Sequence, residues 1–96
     1  MAQFFALAKR NLTDFTEADL APFMEPEAER ARELYAAGTF RQIWSRADIP
    51  GAAILIEAKS LEEAKSFMAS LPLAVKGMLT YEVMPFMPYR GFGPRK

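Results

Sequence analysis

Residues 52–58 read "AAILIEA" and residues 4–8 read "FFALA". Both are short apolar runs next to turn formers, "ADIPG" (47–51) before one and "NLTD" (11–14) after the other, and both predict strands. A strand with one wet face alternates apolar and polar side chains. Neither run alternates. Each strand must therefore be covered on both faces, and that requirement decides the architecture.

Working outward, the first strand covers Gln3–Arg10. Thr16, three residues ahead of Asp19, marks a helix start. Leu20, Met24, Ala28, Ala31 and Tyr35 then share one face at spacings of three and four. Pro22 and Pro26 interrupt the pattern, so a short first turn or two should precede a regular helix from near Pro26. Gly38 closes it as a C-terminal cap. "FRQIWS" (Phe40–Ser45) is the second strand and Ala52–Ala58 the third. Ser60 and Glu63 form a capping box that opens a helix to about Ser70. Leu61, Ala64, Phe67, Met68 and Leu71 supply its apolar side. "LPLAVKG" (71–77) reads as a connection and "MLTYEV" (78–83) as the fourth strand, stopped by Pro85.

The order βαββαβ, with right-handed crossovers, predicts an α+β ferredoxin-like fold: an antiparallel four-stranded sheet with two helices on one face. Residues 1–85 form that single domain. Residues 86–96 form an arm rich in proline, glycine and aromatic residues. Two helices leave one sheet face uncovered, and the apolar strands predict that a second copy covers it. Two sheets packed face to face make a homodimeric α+β barrel with an interior cavity, the usual form of a small-molecule site. Phe86, Met87, Tyr89 and Phe92 make the arm too apolar to stand in water, so it should lie on a neighbouring subunit or over the cavity mouth.

Composition narrows the chemistry. Twelve acidic and twelve basic residues cancel, so there is no net field to draw the chain to nucleic acid or an anionic membrane. Acids concentrate between residues 14 and 33 and read as a solvated helix face, while Arg90, Arg95 and Lys96 make a basic terminus. Cysteine and histidine are both absent. That removes thiolate nucleophiles, the commonest metal ligands and the usual neutral-pH proton shuttle. No metal or other cofactor is expected, and acid–base work must come from carboxylates, tyrosine or lysine. No apolar run approaches the roughly 18 residues of a membrane span, and no secretory leader is visible. The cytoplasm is the expected location.

At "GTFRQIW" the chain resembles the muconolactone isomerase family, whose pattern there is G-x-W-R-H-L-W. Gly38, Arg41 and Trp44 match; Phe40 replaces the first tryptophan and Gln42 the histidine. Similarity continues through Ser60, Glu63, "SLPL" (70–73), "EV" (82–83) and Pro85. The chain departs from the family by about two extra residues between "LPL" and "EV", by Phe5, Leu7 and Lys9 where a more polar set is expected, and by the two helix prolines. The resemblance implies a cofactor-free, dimeric or larger isomerase of aromatic-compound breakdown, acting on a small unsaturated lactone or related ring acid.

Such a reaction takes a proton from the conjugated system beside a ring carbonyl and returns it elsewhere. It needs a positioned base and a partner for the developing dienolate oxygen. Glu82 is one candidate base, or else an ion-pair partner of Arg41. Glu57 is a second, or a solvated strand end. Tyr81 is a donor to the oxyanion, or packing. Arg41 is suited to a substrate carboxylate. Gln42 and Trp44 are candidate ligand contacts, and Phe5 and Leu7 belong to a segment that should border the cavity. By strand alternation only one of Arg41 and Gln42 can face that cavity. The other reading is a non-catalytic member of the fold that binds a small ligand or serves as an accessory oligomer.

Overall fold

The computed structural model describes residues 1–93. Strands β1 (Ala2–Arg10), β2 (Phe40–Ser45), β3 (Gly51–Ala58) and β4 (Leu79–Phe86) form one sheet in the order β2-β3-β1-β4. Every neighbouring pair is antiparallel. Helices α2 (Met24–Ala36) and α3 (Leu61–Ala69) are the two crossovers, and both contact the sheet. The fold is the expected α+β ferredoxin-like one.

Local chemistry sets the boundaries. Thr16 and Asp19 form a reciprocal capping box, with the Asp19 N–H donating to Thr16 Oγ1 at 3.2 Å and the Thr16 N–H donating to Asp19 Oδ2 at 2.9 Å. It opens a one-turn helix, α1 (Glu17–Leu20). The prolines then act as expected: Ala21–Phe23 tighten into a 3-10 turn, and α2 runs regularly from Met24 with Pro26 in its first turn. Gly38 ends α2 at φ +82°, where a side chain would strain the backbone. Ser60 caps α3 by accepting the Glu63 N–H at 3.1 Å.

The core lies between the sheet and the helices. Phe4, Ala6, Ala8, Phe40, Ile54 and Ile56 from the sheet meet Leu34 of α2 and Ala64 and Met68 of α3, all buried. Fully burying one such large side chain stabilises by about 1.5–3 kcal/mol. Phe40 is completely buried, and Phe40→Ala should cost about 3–5 kcal/mol.

Four sequence expectations need correction. Tyr35 is not part of the buried stripe: it is 59 % exposed, and Leu34, one residue earlier, is buried instead. "LPLAVKG" is not a plain connection, because Pro72 starts a further helical turn, α4 (Pro72–Val75). Pro85 does not stop the last strand, which continues to Phe86. β4 is an edge strand, so a residue without an N–H is tolerated there. The pairing of β2 with β3 is also irregular: Phe40 faces Ile56 and Gln42 faces Leu55, leaving Arg41 as the extra residue of a β-bulge.

Candidate functional site

The register divides the side chains between two faces. Phe4, Ala6, Ala8, Ile54, Ile56, Leu79, Tyr81 and Val83 point toward the helices. On the open face the rows read Gln42–Leu55–Phe5–Met84 and Trp44–Ala53–Leu7–Glu82 across the four strands. Glu57 and Phe86 lie at one end of it, where Phe86 stacks on Phe5 with ring centroids 5.5 Å apart.

Most of the sequence-predicted residues therefore share the open face. Arg41 and Gln42 do not divide between the faces, because the bulge breaks the alternation. Gln42 pairs in register with Leu55, while the Arg41 guanidinium lies 3.9 Å from the Glu57 carboxylate, and Leu55 and Glu57 are both open-face residues. The acid beside Arg41 is Glu57, not Glu82. Tyr81 is opposite buried Ala8 and packs against the core on the helix side, although it also borders an open depression with Leu7 and Glu82.

A cavity also lies on the helix side of the sheet. Between α2 and the sheet is a partly open cavity of about 320 Å³. Its existence follows from small side chains facing each other: Ala28 and Ala31 on α2 oppose Ala8, Gly51 and Ala52 on the sheet. Gly51 is required where β3 meets β1, since a Cβ there would collide with the Ala8 carbonyl oxygen. Met24, Phe40, Ile43, Ile54, Leu71, Leu73 and Leu79 add apolar wall, and Ser45 borders it from β2. Three charged side chains reach this space: Glu27 and Arg32 from α2 and Arg10 from the end of β1.

Glu27 is the chemically distinctive group. Its Oε1 accepts the Leu73 N–H at 2.9 Å, in the first turn of α4. Burial pushes its carboxyl up from the ordinary range, against the opposing effects of the Leu73 hydrogen bond and the Arg10 charge. Arg32 is paired with Glu25 at 2.8 Å at the surface. The sequence reading assigned Glu27 to the solvated acidic face. One signal could have found it: in the spacing Met24–Glu27–Ala28–Ala31 it falls inside the apolar stripe, while Glu25, Glu29 and Glu33 fall outside.

No group of three or more histidine, cysteine or acidic side chains able to hold a metal occurs among the described residues. Nor, among them, is any helix long and apolar enough to cross a membrane. The arm, whose residues 94–96, including Arg95 and Lys96, lie outside the described set, forms a 3-10 turn at Arg90–Phe92. Met87 and Phe92 are 86 % and 88 % exposed, and no described arm residue lines the cavity of its own chain.

Residues 6–91 match the family described as muconolactone delta-isomerase. No curated protein sequence matches the chain. A crystal structure of muconolactone isomerase superimposes with a TM-score of 0.76 at 20 % identity, covering 98 % of this chain and 97 % of that one. A 5-chloro-2-hydroxyhydroquinone dehydrochlorinase from Burkholderia phenoliruptrix, in complex with 2,5-dihydroxybenzoquinone, superimposes with a TM-score of 0.72 at 15 % identity over 93 % and 97 %. At these identities the likeness to both structures is one of fold.

Proposed function

The chain belongs to the muconolactone delta-isomerase family, and from that premise we propose that it isomerises a small unsaturated lactone or related ring acid of aromatic-compound breakdown by proton transfer in the helix-side cavity. The observation that carries this reading is Glu27: a carboxylate whose proton affinity is raised by burial, at the wall of an apolar cavity with room for one ring. Raising a carboxylate's proton affinity makes it a stronger base.

In this reading the Glu27 carboxylate removes the proton from the ring carbon conjugated to the carbonyl through the C=C bond. The electron pair moves onto the carbonyl oxygen as a dienolate, and the same carboxyl group returns the proton at the carbon next to the carbonyl. Atoms balance without a cofactor. The Leu73 N–H fixes one carboxylate oxygen and leaves the other for the substrate. Ser45, at the cavity border, can donate to the dienolate oxygen.

The open face of the sheet is assigned to a second copy of the chain. Phe5, Leu7, Leu55, Met84 and Phe86 would otherwise present a contiguous apolar patch to water. A separate proposal places the chemistry there, with Glu82 or Glu57 as base and Arg41 and Gln42 as ligand contacts inside the barrel formed by two copies. The non-catalytic binding reading uses the same helix-side cavity without turnover.

Proton NMR of the chain with muconolactone in deuterium oxide tests the proposal. Enzyme-dependent exchange or isomerisation at the ring carbons, lost in Glu27→Gln, is the expected result. Binding without exchange leaves the non-catalytic reading, and exchange that survives Glu27→Gln moves the base to the open face.

A further inference from the structure

Two arginines, Arg10 and Arg32, line the cavity, and they are not equivalent. Arg32 is engaged by Glu25. Arg10 takes part in none of the four salt bridges found among the described residues. Its backbone is fixed, because its N–H donates to the Pro50 carbonyl at 3.0 Å and its carbonyl accepts the Leu12 N–H at 3.0 Å. Arg10 also borders a neighbouring open depression with Asn11, Asp14 and Pro50. It therefore borders both the helix-side cavity and that solvent-open depression.

Arg10 is also close enough to Glu27 to lower that group's proton affinity by its charge. An anion arriving beside a half-buried carboxylate is repelled by it, so an acidic substrate needs a cation between solvent and Glu27. Arginine suits that position, because its planar fork binds a carboxylate through two parallel hydrogen bonds.

We propose that Arg10 is the specificity residue of this cavity: its guanidinium binds the carboxylate of an acidic ring substrate and turns the ring toward Glu27. The inference rests on reading the helix-side cavity as the reaction site, and it assigns to Arg10 the anion-binding role that the sequence pattern suggested for Arg41.

The probes are muconolactone, an anion at neutral pH, and its methyl ester, which is the same ring without the charge. Isothermal titration calorimetry measures the binding of each. The unmodified chain should bind the acid about tenfold to a hundredfold more tightly than the ester, the range for one charge-assisted pair. Arg10→Met should abolish that preference by weakening the acid alone, and Arg10→Lys should keep part of it. Arg41→Met should retain it, and Glu27→Gln, which removes the repelling charge, should keep or enlarge it. Equal binding of acid and ester by the unmodified chain, binding of neither, or a preference that survives Arg10→Met overturns the proposal. Failure of Glu27 as the base appears separately, as turnover that persists in Glu27→Gln while the acid is still preferred to the ester.

Discussion

The Glu27 carboxylate of α2 accepts the backbone N–H of Leu73, 46 residues further on, at 2.9 Å. This one contact ties the helix over the cavity to the turn after α3. It also holds a half-buried acid in place, and two consequences of Glu27→Gln follow from it. Turnover should fall by about 10²–10⁴-fold, the range for loss of a positioned general base. Folding should not suffer at neutral pH. A carboxyl whose pKa is raised on folding binds its proton more tightly in the folded chain, so ionisation works against the fold. That opposition is absent below the unfolded pKa and complete above the folded one. The variant should therefore be as stable as the parent, or more so, at pH 7. Urea melts at several pH values should show any advantage fading as the pH falls toward 4.

Glu57→Gln and Glu82→Gln are predicted to behave differently, each retaining turnover within about threefold. Both acids lie on the open face, away from the helix-side cavity. The Glu57–Arg41 pair is long, at 3.9 Å, and partly exposed, so its loss should change stability by less than about 1 kcal/mol. A loss of turnover in Glu82→Gln matching that of Glu27→Gln would place the reaction in the barrel interior instead.

The contrast between those acids marks what the chain made legible by itself. Elements specified by local chemistry were readable: the Thr16–Asp19 box, the Gly38 cap, the Ser60 cap and the two all-apolar strands. Features set by tertiary context were not. Pro85 stays in β4 only because that strand is at an edge, a matter of sheet order. The bulge at Arg41 arises in the pairing of β2 with β3, and it removed the alternation used to separate Arg41 from Gln42. Glu27 was hidden for a related reason. A helical acid among acids reads as solvated until the rotation of α2 about its axis is known, and Leu34, not Tyr35, turned out to fix that rotation.

Filling the cavity separates its function from its packing. Ala28 faces the open space from α2, so Ala28→Leu should occupy room that is otherwise empty. Overpacking a filled core costs about 1–3 kcal/mol, but here the change should stay below about 1 kcal/mol. Ligand binding, measured by calorimetry, should be lost or shifted to at least tenfold higher concentration. Unaltered binding in a stable Ala28→Leu chain would show that ligand does not enter between α2 and the sheet.

The open face carries the remaining prediction. Leu55 lies in its middle, between Gln42 and Phe5 across the neighbouring strands. Two copies packed there would bury Phe5, Leu7, Leu55 and Met84 against their counterparts, at about 25 cal/mol per Å² of apolar surface removed from water. A glutamate at position 55 would put two like charges close to a symmetry axis in a dry interface, where repulsion and desolvation act together. Light scattering after size exclusion should give the parent chain a mass at least twice its 10.8 kDa, and Leu55→Glu a mass near one chain. Because Leu55 points away from the helix-side core, the variant should stay folded and still bind ligand in the helix-side cavity. A parent chain that is monodisperse at one-chain mass in micromolar solution would mean that the apolar face is covered by something other than a second copy.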